Sequence, residues 1–146
     1  MEWSADDGIP QNALVAGLDQ DGSPLYVARA HHEGDLIPGK FIPNRKQAFV
    51  SYGGLEVFKS DFEILFGYGF IWVSSSNGRV PKGAVEGGRT ASKESLYIGR
   101  AHHEGSLTPG KIHPSHGCLY IPFGGSEQLL QHYEVLIWPP VLQPAV

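Results

Sequence analysis

Residues 25–56 read LYVARAHHEGDLIPGKFIPNRKQAFVSYGGLE, and residues 96–127 read LYIGRAHHEGSLTPGKIHPSHGCLYIPFGGSE. The two stretches align without a gap, 71 positions apart, and 16 of their 32 positions are identical. The match extends to FEIL (62–65) and YEVL (133–136), so the chain contains an internal duplication. A period of 71 residues exceeds the ~20–50 residues of a stacked solenoid unit. Two such units indicate similar lobes packed about a pseudo-twofold axis.

The local pattern is that of short strands. Apolar residues do not recur at helical spacing over three turns, because Gly or Pro interrupts almost every stretch. Pro38-Gly39 and Pro109-Gly110 predict type II turns. The sequence therefore predicts an all-β protein of two tandem antiparallel-sheet repeats packed about a pseudo-twofold axis. Strands are predicted at Ala13–Leu18, Leu25–His31, Gly39–Ile42, Ala48–Tyr52 and Phe58–Leu65, with copies 71 residues later.

The length of the chain bounds its domain organisation. A chain of 146 residues fits one compact domain or two small lobes. We expect the first repeat to span 1–71 and the second 72–146. A lobe of about 70 residues has a thin core by itself, so we expect the two repeats to share a core and form one interlocked globular unit.

Composition excludes several classes of function. The formal charge of −4 argues against nucleic-acid binding, which calls for a basic surface. Cys118 is the single cysteine, so no internal disulfide forms. The acidic N-terminus lacks the features of a secretory signal, and the longest apolar run, Ile64–Val73, is shorter than the ~20 residues of a membrane helix. We expect a cytoplasmic chain without membrane insertion, and release by a non-classical route stays open.

Repeated polar residues give candidates for chemistry. Arg29 and Arg100 lie among apolar neighbours on predicted strands. They are either structural residues bonded to carbonyls or to Glu63 and Glu134, or part of an anion clamp. The repeated GGxE motif is either a tight glycine turn or a phosphate loop, but the helix that a phosphate loop requires does not follow it.

Histidines and the cysteine offer a second set of candidates. The adjacent histidines of AHHEG point to opposite faces of a strand, and no metal-binding spacing is present. The spacing of His116 and Cys118 predicts that they share a strand face, and they have the residue types of a thiolate–imidazole pair, but no orienting third residue is recognisable. We therefore predict no metal site, no cofactor and no catalytic residues, and expect that the protein is not an enzyme.

Charged residues on turns form the most suggestive polar set. Asp19, Asp35 and Lys40 belong to the first repeat, and Lys111 repeats Lys40. Sugar hydroxyls both donate and accept hydrogen bonds, so carboxylates and ammonium groups together can hold a sugar. These residues are either solvated turn residues or a sugar clamp, and the pattern alone leaves both open.

The repeated motifs resemble those of the DM-nine repeat family. They comprise IPxNA (9–13), VPKGA (80–84), the two long AHHEG-containing stretches, the YGG and FGG turns, and the closing FEIL and YEVL. The resemblance covers essentially the whole chain. In layout the chain is similar to the small two-repeat mannose-binding lectins of bivalve molluscs. This resemblance implies an all-β pseudo-twofold fold, a homodimer, and recognition of mannose-containing glycans as pattern recognition in innate immunity. Because neither repeat shows spacing suited to Ca²⁺ or Zn²⁺ ligands, we expect this recognition to be metal-independent.

The resemblance also implies a sugar site in the first repeat. The Asp and Lys of the family's site map onto Asp19 and Lys40, with Asp35 at a neighbouring acidic position. In the second repeat Lys111 is kept, but Thr90 and Ser106 replace the two acidic residues. Two other carboxylates, Glu86 and Glu104, are candidates to substitute for them. The alternative function is a protein-interaction or scaffold module without sugar-binding activity.

Overall fold

The computed structural model describes residues 1–5 and 8–138, which form an all-β protein. Its only helical turn in this part of the chain is a 3-10 turn at Pro114–His116. The strands of the first half are β1 (Glu2–Ser4), β2 (Val15–Leu18), β3 (Pro24–His32), β4 (Asp35–Ile42), β5 (Gln47–Tyr52), β6 (Leu55–Lys59) and β7 (Glu63–Phe66). The strands of the second half are β8 (Ile71–Ser76), β9 (Glu86–Arg89), β10 (Ser95–His103), β11 (Ser106–His113), β12 (Cys118–Phe123), β13 (Ser126–Leu130) and β14 (His132–Ile137).

The strand order shows the twofold relation of the halves. Five strands, β2 to β6, recur as β9 to β13 with the same bounds 71 residues later. The order in the sheet is β1-β7-β3-β2-β11-β12-β13-β6-β5-β4-β9-β10-β14-β8. Exchanging each strand for its counterpart in the other half reverses this order and changes nothing else. The predicted all-β fold with pseudo-twofold repeats is therefore confirmed.

Strands of the two halves pair directly with each other. Strand β2 pairs with β11 at Leu18 and Leu107, and β4 pairs with β9 in the equivalent way. A glycine makes the first contact possible, because a Cβ on Gly17 would lie 1.8 Å from the carbonyl oxygen of Leu107. Strands β6 and β13 form a third pairing, at Leu55 and Ser126. The third pairing holds the glycine turns of the two halves against each other, with backbone hydrogen bonds from Glu56 to Gly125 and from Glu127 to Gly54.

One buried cluster contains residues of both halves. It joins Ala16, Val27 and Leu65 of the first half to Val85, Ile98 and Leu136 of the second half. The described strand β8 begins at Ile71, one residue before the predicted boundary between the repeats. The division into 1–71 and 72–146 stays a prediction, but the packing shows that the halves share apolar surface.

Two local predictions were wrong. Pro38-Gly39 does not form a turn but lies inside β4, as Pro109-Gly110 lies inside β11. Gly39 is required there by close packing, because a Cβ at this position would meet the carbonyl oxygen of Phe49 at 2.1 Å. The turn between β3 and β4 is at Glu33-Gly34, where both residues have positive φ. The predicted strand Phe58–Leu65 is divided between β6 and β7.

Candidate functional site

Each half contains a buried lysine paired with a glutamate. Lys40 on β4 is 5% exposed, and its Nζ lies 3.0 Å from Oε2 of Glu56 on β6. Lys111 on β11 is equally buried and lies 3.1 Å from Glu127 on β13. Burying a charge is costly unless it is paired, so each glutamate is a required partner of its lysine. The sequence prediction identified the lysines but missed both glutamates.

The glutamates also connect the two halves. Oε1 of Glu56 accepts a hydrogen bond from the backbone N–H of Gly125 at 3.0 Å, and Glu127 accepts one from Gly54 at 3.1 Å. The backbone N–H groups of both glutamates donate in turn to the carbonyl oxygens of these glycines. GGxE is therefore a glycine turn, as one interpretation of the sequence expected. It also brings each lysine–glutamate pair against the turn of the opposite half.

A cavity of about 220 Å³ opens beside Lys40. Asp19, Gln20 and Lys40 line it from the first half, and Phe123 and Gly124 line it from the second half. Nζ of Lys40 lies 5.5 Å from the centroid of the Phe123 ring. Two of the predicted sugar-binding residues, Asp19 and Lys40, therefore share one cavity that both halves complete.

Asp19 is held in place by its own loop. Its backbone N–H donates to the carbonyl oxygen of Ser23 at 2.8 Å, and its Oδ1 accepts a hydrogen bond from the backbone N–H of Gln20 at 2.9 Å. The side-chain amide of Gln20 donates to the carbonyl oxygen of Glu104 at 2.7 Å, which ties this loop to the second half. A carboxylate on a fixed loop is suited to accept hydrogen bonds from a ligand.

Asp35 does not line this cavity. Its Oδ1 accepts a hydrogen bond from the backbone N–H of Ala91 at 2.8 Å, so the side chain fixes a loop of the second half. Ser106 stands at the equivalent position in the second half and is buried, with its hydroxyl bonded to the carbonyl oxygen of His103. A direct contact of Asp35 with a sugar stays a prediction.

Lys111 has a different environment from Lys40. Its Nζ donates to the carbonyl oxygen of Ser51 at 2.8 Å, in addition to the pair with Glu127. It lies 5.7 Å from the ring centroid of Tyr52 and 5.4 Å from that of Tyr120. The ammonium group is thus enclosed by a carboxylate, a carbonyl group and two phenol rings.

Histidines stand where the first half has cavity-lining residues. His113 and His116 occupy the positions of Ile42 and Arg45, and their rings stack with centroids 3.5 Å apart. Nδ1 of His116 lies 3.0 Å from the hydroxyl of Tyr120. The side chains beside Lys111 therefore bond to one another, whereas Lys40 opens on a cavity.

The surroundings of His113 shift three pKa values. Burial, followed by the charge of His116, lowers the pKa of His113, although Glu94 at 3.0 Å opposes this. Burial raises the pKa of Glu94, but hydrogen bonds from Ser115 and the charge of His113 outweigh it and hold the pKa below its ordinary value. Burial raises the pKa of Tyr120 to about 12. At neutral pH these shifts favour a neutral His113 beside an ionised Glu94.

The two candidate substitutes in the second half have other partners. Glu86 is exposed on β9 and lies 3.5 Å from Arg89. Glu104 lies at the tip of the turn between β10 and β11, where its carboxylate is 3.2 Å from His103. The acidic partner of Lys111 is Glu127 instead, so a role of Glu86 or Glu104 in sugar binding stays a prediction.

The repeated arginines make structural contacts. Nε of Arg29 lies 2.9 Å from Glu63, and its guanidinium lies 4.0 Å from the ring centroid of Trp3. Arg100 repeats these contacts with Glu134 and Trp72, and also donates to the carbonyl oxygen of Ala16. These are the contacts that the structural interpretation of the two arginines expects.

Other candidates from the sequence are not assembled into a site. Cys118 is buried, and burial raises the pKa of its thiol, which disfavours a nucleophilic thiolate. Within residues 1–5 and 8–138, no three His, Cys, Asp or Glu side chains converge as metal ligands. The described part of the chain also holds no helix of the length and apolarity needed to cross a membrane.

Two larger cavities lie elsewhere on the first half. They measure about 620 and 720 Å³, and Asp61 and Phe62 line both of them. Neither is lined by any of the predicted sugar-binding residues. We assign the candidate site to the smaller cavity because it alone of the three brings Asp19 and Lys40 together.

The strand order and the repeated lysine–glutamate pairs define a two-repeat all-β module. The chain belongs to the DM9 repeat family, which matches residues 1–40 and 19–130. Natterin-3 of Thalassophryne nattereri is 28% identical over 138 residues, covering 92% of this chain and 35% of the relative. Natterin-4 of the same organism is 32% identical over 146 residues, covering 93% of this chain and 33% of the relative. The chain thus spans about a third of the length of these relatives.

A solved structure supports the fold alone. The crystal structure of the nematode sperm cell motility protein MFP2B matches with a TM-score of 0.68 at 16% identity, covering 97% of this chain and 48% of that protein. Membership of the DM9 repeat family places this chain among carbohydrate-binding or protein-interaction modules.

Proposed function

We propose that this chain is a metal-independent carbohydrate-binding module of mannose type that acts by binding and not by catalysis. The observation that carries the proposal is the cavity in which Asp19 and Lys40 meet. These residues belong to different strands and loops, and the fold brings them to one opening. An acceptor and a donor that line one cavity match the hydroxyl groups of a sugar.

The cavity has the composition that a single sugar ring requires. Lys40 has three N–H donors and shares one with Glu56, so donors remain for a hydroxyl or ring oxygen. The ring of Phe123 offers an apolar wall for the C–H face of a pyranose. The volume of about 220 Å³ is below the ~300–1,000 Å³ of pockets for drug-sized ligands, which favours a small ligand.

Weak single sites can serve recognition of microbial surfaces. A millimolar site corresponds to about −4 kcal/mol, and linking several sites can add ~10²–10⁴ in avidity. We propose pattern recognition of mannose-containing glycans in innate immunity by a homodimer. Strand β8 supports dimerisation, because among residues 1–5 and 8–138 it is an end strand of the sheet that exposes Ile71 and Val73, and end strands can bind other strands.

The test is retention of the protein on mannose-agarose. We expect retention, elution by free mannose and no effect of EDTA, with galactose-agarose as the matched matrix. Loss of retention in EDTA that Ca²⁺ restores would contradict metal independence. A mannoside incubated with the protein and monitored by NMR should remain unchanged, which checks that no reaction occurs. A protein that is retained on no sugar matrix would favour the protein-interaction module, for which the exposed residues Ile71 and Val73 of β8 are the candidate surface.

A further inference from the structure

A row of side chains leads outward from Lys40 across three neighbouring strands. Lys40 on β4 lies opposite Phe49 on β5, and Phe49 lies opposite Phe58 on β6. Residues that lie opposite each other on paired strands point to the same face of the sheet. Two strand spacings separate Lys40 from Phe58, or about 9.5 Å. The row therefore connects the candidate sugar cavity to a second position on the same face.

Phe58 offers an accessible aromatic ring at this second position. It is 52% exposed, and its ring centroid lies 5.9 Å from that of Phe49, which lines the cavity. A single exposed apolar residue is ordinary on a protein surface. Phe58 differs from an isolated case because it continues an aromatic surface that begins inside a charged cavity.

The second half provides an internal comparison. The same row there consists of Lys111, Tyr120 and Leu129, again directly opposite one another. Leu129 is 53% exposed, so an apolar residue is kept at the position but the aromatic ring is not. The hydroxyl of Tyr120 is also engaged by His116. A continuous and accessible aromatic shelf is therefore a property of the first half.

We propose that Phe49 and Phe58 form a second subsite, which binds the next sugar ring of an oligosaccharide whose first ring occupies the cavity beside Lys40. This inference rests on the proposed function of that cavity. The C–H face of a pyranose is apolar and packs on an aromatic ring, while its hydroxyl groups stay in water. The preferred ligand is accordingly a disaccharide or longer mannoside, and a single mannose ring binds more weakly.

The experiment compares one ring with two. Methyl α-mannoside and an α-linked mannobiose are titrated by calorimetry into the wild-type chain and into Phe58→Ala, Phe58→Tyr and Leu129→Ala variants. We expect wild type to bind the disaccharide about tenfold more tightly than the monosaccharide. Phe58→Ala removes this gain without changing monosaccharide affinity, whereas Phe58→Tyr and the matched control Leu129→Ala retain it. Thermal unfolding checks that each variant is folded.

The possible failures are distinguishable. Equal affinity of wild type for both sugars, or a gain that survives Phe58→Ala, overturns the second subsite and leaves the cavity assignment intact. A gain lost equally in Leu129→Ala also overturns it, because the matched exposed residue of the second half would then matter as much. Binding of neither sugar by wild type overturns the proposed function and this inference together.

Discussion

Lys40 and Lys111 occupy equivalent positions in the two halves but have different surroundings. Both are 5% exposed and paired with the glutamate of a GGxE turn. Lys40 faces a cavity that it shares with Asp19. Lys111 donates instead to the carbonyl oxygen of Ser51, beside the stacked rings of two histidines.

This comparison distinguishes the buried lysine–glutamate pairs, which join the halves, from the residues that surround each lysine. The lysine–glutamate pairs are repeated because each glutamate also bonds to a glycine turn of the other half. Other residues near the two lysines differ between the halves. Thr90 occupies the position equivalent to Asp19, and His116 occupies the position equivalent to Arg45. The buried pairs that join the halves are thus the same in both repeats, whereas the residues that differ accompany a cavity of about 220 Å³ at Lys40.

The largest expected effect is on stability, in the Lys111→Ala variant. This change leaves the buried carboxylate of Glu127 and the carbonyl group of Ser51 without their partner. Breaking a buried ion pair by removing one partner costs about 3–5 kcal/mol. We expect Lys40→Ala to cost less, about 1–3 kcal/mol, because water in the cavity can solvate the remaining carboxylate. Urea unfolding at neutral pH measures both free energies of unfolding.

Two double variants serve as controls for this ranking. Lys40→Met with Glu56→Leu, and Lys111→Met with Glu127→Leu, remove both charges of a pair, so neither leaves a buried charge alone. Each should be more stable than the corresponding single alanine variant. A larger loss in Lys40→Ala than in Lys111→Ala would show that the cavity does not relieve the unpaired glutamate.

The second-largest expected effect is a loss of sugar affinity. Here Lys40→Ala should lose more than Lys111→Ala, the reverse of their order in stability. Lys40→Ala and Asp19→Ala should each lose about 1.5–3 kcal/mol of binding free energy, the value of a hydrogen bond to a charged group. At a millimolar site this loss removes detectable binding. Titration of methyl α-mannoside into both variants measures it. Thr90→Ala is the matched control for Asp19→Ala and should bind as wild type does.

Lys111→Ala, studied at a temperature where it remains folded, should keep its sugar affinity. Equal losses from Lys40→Ala and Lys111→Ala would show that both halves carry working sites. Undiminished binding by both first-half variants would disprove the assignment of the cavity.

The smallest expected effect is a pH dependence of stability that arises in the second half. Burial and His116 lower the pKa of His113 in the folded state, so the unfolded state takes up the proton first as the pH falls below the ordinary value of 6.5. The contribution of His113 to the free energy of unfolding is therefore fully present above pH 6.5, and it is lost as the pH falls towards the folded-state pKa. Glu94 and Lys111 also act on this group. Urea unfolding between about pH 7.5 and pH 5 measures the loss.

The His113→Ile variant introduces the residue that the first half has at position 42 and should lose less stability over this range. Glu94 has an ordinary pKa near 4.5 that is lowered further, so it does not titrate in the same interval. Ile42→Val, at the matched position of the first half, should keep the wild-type pH dependence. An unchanged pH dependence in His113→Ile would assign the effect to other groups.

The sequence predicted part of the candidate site. Asp19 and Lys40 were identified because their residue types suit a sugar, and the structure places them in one cavity. Glu56 was missed because GGxE was interpreted by its glycines alone. The signal was available, since this glutamate is identical in both copies while its neighbour Leu55 becomes Ser126. The turn prediction at Pro38-Gly39 was wrong because a glycine can be required by close packing inside a strand as well as by a positive φ in a turn.

The sequence by itself determined the duplication, the all-β class and the difference at Asp19, whose position in the second half is taken by Thr90. These properties are local, since they depend on residue types, their alternation and the glycine turns that separate strands. Only the tertiary structure decided that Phe123 completes the cavity of Lys40 and that Gly125 anchors Glu56. These contacts cross the pseudo-twofold axis and join residues far apart in the chain. They depend on how the two halves of one 14-stranded sheet pair and pack, which no local pattern of residues specifies.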